Sequence, residues 1–277
     1  MDLLFDIENM KCSYKKDGAQ LTDVVLEIEN LKIPQGKVVF FVGPSGIGKS
    51  TILETLGFMN QTIASVDKFE YAGRDVRNIW NWDDEKVSAF RNKEFSFIFQ
   101  QCNLMQNFTA YENVMATALI QGVTKETARR ETNKVLKMMD LPSNEDRPIY
   151  QYSGGQQQRL AFARAILPQF KVLFGDEPTG NLDVKSAENL MRVLIEAIKE
   201  RQASAIIVSH DMHLAVNYAD MIVQIHRVAR ESEKVGVEHY FGKISATSIY
   251  EKGGGKWSHC GETFTNDALF AKLMEEI

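Results

Sequence analysis

Gly43-Pro44-Ser45-Gly46-Ile47-Gly48-Lys49-Ser50 fits the pattern G-x-x-x-x-G-K-[ST], and its setting decides the fold. Upstream, Val38-Val39-Phe40-Phe41-Val42 is an unbroken apolar run of the kind that forms a strand buried on both faces. Downstream, Lys49-Ser50-Thr51-Ile52-Leu53-Glu54-Thr55-Leu56 reads as a helix. Strand, glycine loop and helix in that order make a phosphate cradle. The glycines let the backbone curl so that successive N–H groups point at phosphate oxygens, and the helix N-terminus adds favourable dipole charge. Lys49 is then placed to neutralise the β- and γ-phosphates, Ser50 to offer a hydroxyl to Mg2+, and Thr51 to reach the α-phosphate side.

A second segment completes this chemistry. Val172-Leu173-Phe174-Gly175-Asp176-Glu177 is an apolar run that delivers two adjacent acids to the C-terminal end of a strand, where open α/β sheets bind ligands. Paired with the phosphate loop, Asp176 reads as the carboxylate that holds Mg2+ and Glu177 as the group that polarises an attacking water.

Working outward, residues 1–33 alternate apolar and polar positions, as in Val24-Val25-Leu26-Glu27-Ile28-Glu29-Asn30-Leu31. This predicts an antiparallel β region with a turn at Asp17-Gly18. From Glu112 to Asp140 the sequence is rich in helix formers and reads as a helical insertion. Helical segments Gln156 to Leu167 and Ala187 to Arg201 alternate with the β-like runs Val172-Leu173-Phe174 and Ala205-Ile206-Ile207-Val208. The alternation predicts βαβ crossovers, a mainly parallel core sheet and an α/β fold.

With 277 residues, 44% hydrophobic and 25% charged, the chain can bury a sizeable core. A formal net charge of −5 provides no basic field for phosphate backbones, so no nucleic-acid partner is expected. Acidic residues occupy Met1 to Asp6 where a secretory signal would be basic, and the run Val38 to Val42 falls far short of the roughly 20 residues of a spanning helix. A soluble protein of a reducing, cytoplasmic compartment is expected. Cys12, Cys102 and Cys260 are too scattered for zinc or a disulfide scaffold and read as packing thiols. His259-Cys260 lacks further ligands, and His213, His226 and His239 form no visible constellation.

Tyr152-Ser153-Gly154-Gly155-Gln156-Gln157-Gln158-Arg159 resembles the LSGGQ-type signature of ABC ATPases, and it lies just upstream of Asp176-Glu177, as in that family. Other motifs follow the family's order. Phe99-Gln100 is similar to the Q-loop, Asn181-Leu182-Asp183 to the D-loop, Ser209-His210-Asp211 to the switch-histidine region, and Tyr14 to the aromatic that stacks on adenine. Gly175 to Asp183 resembles the branch of lipoprotein-release, macrolide-export and cell-division ATPases.

The resemblance implies an ABC cassette over residues 1–244, with an antiparallel β subdomain and a helical signature subdomain at about 101–165. It implies ATP and Mg2+ as cofactors, with ATP held by Tyr14 and by Gly43, Pro44, Ser45, Gly46, Ile47, Gly48, Lys49, Ser50 and Thr51. Ser50, Gln100 and Asp176 would ligate Mg2+, and Glu177, His210, Gln100 and Lys49 would be catalytic. A head-to-tail dimer is implied, in which Ser153, Gly154, Gly155 and Gln156 reach ATP in trans and Asp183 lies at the interface. The other implied partner is a separate transmembrane, permease-like subunit, which places the chain peripherally on the inner face of the cell membrane. The competing class, soluble ABC ATPases acting on DNA or ribosomes, typically has tandem cassettes, long coiled coils or zinc modules, and this single cassette has none of them.

Ile47 stands where the family often has Ser or Cys, and Tyr152 replaces the usual leading Leu. Met221-Ile222-Val223-Gln224-Ile225 reads as a late strand, yet Gly242-Lys243-Ile244 arrives after an insertion of about fifteen residues, a hairpin loop at about 227–241. Beyond it, 245–277 reads as a C-terminal extension. The extension carries Gly253-Gly254-Gly255 and Trp257 and ends in an amphipathic helix with Leu269, Phe270, Leu273, Met274 and Ile277 on one face. Thr265 or Asn266 would cap that helix.

Overall fold

The computed structural model describes residues 2–14, 23–142, 147–230 and 239–275. It divides into two compact units, Met1–Val87 with Ile206–Ile277, and Ser88–Ala205. The strand Ser204–Val208 carries the chain from the second unit back into the first.

In the first unit, Leu3–Cys12 pairs antiparallel with Leu26–Pro34, running from Phe5 opposite Ile33 to Cys12 opposite Leu26. Its other edge pairs with Lys68–Tyr71. The expected antiparallel β region is therefore present, while the Asp17-Gly18 turn lies outside the described residues. Phe5, Phe58, Phe69 and Tyr71 bury a common aromatic cluster under this sheet, with Phe5 and Tyr71 centroids 5.2 Å apart and Phe58 and Phe69 5.8 Å apart.

The same unit holds the strand Val38–Val42, parallel to Met221–Gln224 and buried at every position, as its unbroken apolar run requires. The late chain then adds strands the sequence reading did not anticipate. Ile249–Gly253 pairs antiparallel with Met221–Gln224, and Lys256–His259 and Glu262–Phe264 follow in turn. The three glycines at 253–255 carry a hairpin turn, in which Gly254 and Gly255 have φ of 58° and 78°.

The helix Asn266–Glu275 follows, its Thr265 hydroxyl accepting from the Ala268 amide at 3.2 Å. Leu269 and Leu273 are fully buried, but Phe270 and Met274 are exposed, and Ile277 lies outside the described residues. The expected five-residue apolar face is thus a narrower seam along an i, i+4 pair, because residues one position on point away from the packed side. Trp257 is buried and donates from Nε1 to Asn266 Oδ1 at 3.0 Å.

The expected hairpin loop is a strand pair, His226–Arg230 against His239–Ile244, and residues 231–238 of the expected insertion lie outside the described residues. His239–Ile244 runs parallel beside Leu26–Pro34. Gly242 is obligatory there, since a Cβ would lie 2.1 Å from the Ile47 carbonyl oxygen.

In the second unit, Phe95–Ile98 pairs parallel with Val172–Asp176, Ile98 standing opposite Gly175. Phe95, Phe97 and Phe174 pack ring to ring across this pair, with centroids 5.1 and 5.3 Å apart. The helical insertion is built from Ala110–Ile120, Lys125–Met138 and Gly154–Ile166. Thr109, Thr124 and Ser153 start these helices as side-chain caps, each satisfying a first-turn amide that the helix cannot pair itself.

Candidate nucleotide site

The phosphate loop leaves the buried strand Val38–Val42 and enters the helix Lys49–Leu56. Gly48 precedes that helix with φ of 97°, a conformation closed to residues with a Cβ at low cost, and it supplies no side-chain cap. The first-turn amides therefore lack a cap from this residue and face the loop, the arrangement that suits an anion. Lys49 is buried, and its Nζ donates to the Gly43 and Pro44 carbonyls, each at 2.8 Å. The ammonium thus lies inside the loop. Ser50 is exposed at the second helical position.

Tyr14 is held at this helix. Its hydroxyl donates to Glu54 Oε2 at 2.8 Å and shares a hydrogen bond of 3.0 Å with Thr51 Oγ1. Burial, followed by the neighbouring Glu54 carboxylate, holds the phenol up at about 12. In the same unit, His210 is exposed. Before it, the Ser209 amide donates to the Phe41 carbonyl at 3.1 Å, and after it Asp211 caps the helix Met212–Tyr218 through Leu214 N at 3.0 Å.

In the second unit, Asp176 ends the strand Val172–Asp176 and Glu177 follows with a left-handed φ of 43°. That conformation is strained for a non-glycine residue and turns the carboxylate abruptly out of the strand direction. Gln100 Nε2 donates to Glu177 Oε2 at 3.4 Å, so two of the expected site residues meet. Ser153 caps the helix Gly154–Ile166, its Oγ accepting from Gln156 N at 3.3 Å while Gln156 Oε1 accepts from Ser153 N at 3.0 Å. Asp183 caps the helix Val184–Glu200, accepting from Ser186 N at 3.0 Å and Ser186 Oγ at 2.6 Å, and these bonds lower its pKa.

Several residues here escaped the sequence reading. Cys102 is not a simple packing thiol: its Sγ donates to Gln158 Oε1 at 3.0 Å. Cys260 is exposed and likewise departs from that expectation, whereas Cys12 is buried and its thiol is pushed up to about 11 by that burial. Gln158 is buried and donates from Nε2 to the Pro178 carbonyl. Arg164 donates to the carbonyls of Asn103 at 2.6 Å and Cys102 at 2.7 Å. A signal for Gln158 existed, because it shares the i, i+3, i+4, i+7 spacing of Ala161, Phe162 and Ala165 and so belongs to the inward face. Tyr152, at the departure from the signature pattern, is buried beneath the Arg147 guanidinium, 4.2 Å from its centroid. Its hydroxyl has no hydrogen-bond partner among the described residues.

The sequence profile of the family described as "ABC transporter" matches residues 26–180. The chain belongs to that family. Lipoprotein-releasing system ATP-binding protein LolD of Syntrophus aciditrophicus is 34% identical over 212 residues, 76% of this chain and 92% of LolD. Macrolide export ATP-binding/permease protein MacB of Salmonella typhimurium is 35% identical over 226 residues, 82% of this chain but 34% of MacB. The chain therefore spans about a third of the length of its MacB relatives. A dimeric structure of the ATP-binding cassette MJ0796, in a post-hydrolysis state bound to ADP and Pi, superimposes with a TM-score of 0.70 at 30% identity. That match covers 79% of this chain and 93% of the other. The cassette fold expected from the sequence is the fold observed.

Proposed function

We propose that this ABC protein hydrolyses ATP, closing head to tail with a second copy around two nucleotides and driving a separate permease-like membrane subunit. The observation that carries the catalytic part is the Gln100–Glu177 hydrogen bond of 3.4 Å. It brings the Gln100 amide to a carboxylate that follows the strand Val172–Asp176, which supports a ligand site at that strand end. In this reading Lys49 exchanges its Gly43 and Pro44 carbonyls for phosphate oxygens, Glu177 orients and accepts a proton from the attacking water, and His210 faces the γ-phosphate.

The oxygen donors Ser50, Gln100 and Asp176 fit a hard cation and would hold Mg2+. When bound, Mg2+ neutralises charge on the β- and γ-phosphates. The trans roles of Ser153, Gly154, Gly155 and Gln156, and the interface role of Asp183, are supported by the dimeric state of the MJ0796 cassette. Among the described residues no helix is long and apolar enough to cross a membrane. The MacB name couples ATP binding to a permease, which supports assigning the ATP-binding part to this chain and a place on the inner membrane face through a permease partner.

Phosphate release by the purified protein with Mg-ATP tests the activity, and co-purification from detergent tests the membrane partner. Glu177→Gln should retain ATP binding, lose on the order of 10²–10⁴ in turnover, and accumulate as an ATP-bound dimer on size-exclusion chromatography. Wild-type turnover in that variant would remove Glu177 from the mechanism.

A further inference from the structure

The helix that begins at Ser153 carries, one turn further on, a buried amide that bonds to two distant loops. We infer that Gln158 is a positioning residue for Glu177, tying the segment after Gln100 to the segment after Glu177 through the signature helix. Gln158 Oε1 accepts from Cys102 Sγ at 3.0 Å, two residues beyond Gln100, and its Nε2 donates to the carbonyl of Pro178, the residue next to Glu177. Arg164, nearly two turns along the same helix, fixes the main chain beside Cys102 through the Cys102 and Asn103 carbonyls at 2.7 and 2.6 Å.

The need for such a tie follows from backbone strain. Glu177 holds φ of 43°, and a non-glycine residue stays there only when its surroundings over-determine the conformation. The Gly180 amide, donating to the Glu177 carbonyl at 3.1 Å, closes the loop from one side, and Gln158 anchors Pro178 from the other. A buried amide that lost these partners would leave two polar groups unsatisfied, so the contact is stiff. Because Gln158 and Ser153 share one helix, a movement of the signature helix displaces Pro178 and Cys102 together, and with them the Glu177 carboxylate and the Gln100 amide.

The inference rests on the ATPase reading above, and its test has an arm that does not. Gln158→Met keeps length and volume but removes both hydrogen-bonding ends, whereas Gln158→Glu keeps an acceptor for Cys102 and lacks the donor to Pro178. Both should lower kcat by about 10- to 100-fold, since a displacement near 1 Å of a reacting group has an effect of that size. The Kd for Mg-ATP, set at the phosphate loop, should move less than about twofold, a split that general destabilisation does not produce. In a Glu177→Gln background, Gln158→Met should add no further slowing, because the group it positions has gone.

Independently of turnover, hydrogen exchange over residues 176–183 should quicken in Gln158→Met while exchange over 43–50 stays unchanged. Full additivity with Glu177→Gln, or unchanged exchange over 176–183, overturns the inference. A wild-type protein without turnover sinks the ATPase reading, and the exchange measurement still decides the tie. Should Gln158→Met fail to fold, Gln158→Glu and Cys102→Ala carry the same measurements, with Cys102→Ala giving the smaller effect because Pro178 keeps its bond.

Discussion

Two helix N-termini in this protein answer the same physical problem in opposite ways. At Lys49–Leu56 the residue before the helix is a glycine at φ 97° with no side chain to satisfy the first amides, and a lysine ammonium lies in the loop at 2.8 Å from two carbonyls. At Gly154–Ile166 the preceding residue is Ser153, and a reciprocal capping box with Gln156 satisfies the helix from within. Orphan amides at a helix start are a standing invitation to an anion, and a cap withdraws it. On the proposed reading the first end receives a phosphate, whereas the second already carries a cap from its own side chains. Ser153 still keeps its hydroxyl proton, because the cap uses the oxygen as acceptor, so it can donate to a phosphate without abandoning its helix.

The largest effect expected from breaking this contrast is at Ser153. Aspartate caps a helix as well as serine, so Ser153→Asp should leave thermal stability within about 0.5 kcal/mol of wild type. It replaces a donor with a negative charge, however, and turnover should fall by about 10²-fold or more while ATP still binds the phosphate loop. Ser153→Arg should likewise block dimer closure. Equal ATP-dependent dimerisation by Ser153→Asp and wild type, read by size-exclusion chromatography with Mg2+, would place the γ-phosphate elsewhere.

A smaller effect is expected at the other helix end. Gly48→Ala puts a Cβ at φ 97° and 3.4 Å from the Val25 carbonyl, and the strain of about 1–3 kcal/mol should fall on the loop. If the loop must distort to relieve it, ATP affinity drops by about tenfold. Ser153→Ala offers the matching control: it costs about 1 kcal/mol of stability through the lost cap and leaves nucleotide affinity at the phosphate loop unchanged. Titration of both variants with a fluorescent ATP analogue separates the two helix ends. The contrast fails if Ser153→Ala loses affinity and Gly48→Ala does not.

The first of these ends was readable from the sequence and the second only in part. Gly43 to Ser50 could be read because the loop is local: spacing, a buried strand before it and a helix after it all lie within about twenty residues. Ser153 is visible as a motif, and Ser153-Gly154-Gly155-Gln156 also has capping-box spacing; what the sequence does not show is that the Gln156 side chain turns back onto the Ser153 amide. Gln158 was hidden further, because its partners are Cys102 and a main-chain carbonyl at Pro178, far away along the chain and, at Pro178, independent of side-chain identity. The strands at Ile249–Gly253, Lys256–His259 and Glu262–Phe264 escaped because they are short and hold at most one buried residue each, leaving little apolar periodicity to detect.

The smallest effect is at Tyr14, where the sequence pointed to the ring and the structure adds the hydroxyl. Tyr14→Ala should weaken ATP binding by about two- to tenfold if the ring stacks on adenine, and Tyr14→Phe should keep most of that affinity because the π-face survives. Phenylalanine lacks the bonds to Thr51 at 3.0 Å and Glu54 at 2.8 Å, which anchor the ring to the phosphate-loop helix. Loss of one such hydrogen bond costs about 0.5–1.5 kcal/mol of stability. The phenol's pKa is raised in the fold to about 12 from 10.0, so the native state holds its proton more tightly than the unfolded chain does. Its contribution is therefore complete below pH 10 and is lost as pH rises from 10 towards 12. The melting temperatures of wild type and Tyr14→Phe should accordingly differ by a constant amount up to about pH 9.5 and converge above it. A gap that stays constant through pH 11 would show that the hydroxyl does not lose its anchor on ionising. A gap absent at every pH would show that Glu54 and Thr51 hold nothing, leaving the ring positioned by packing of its edges.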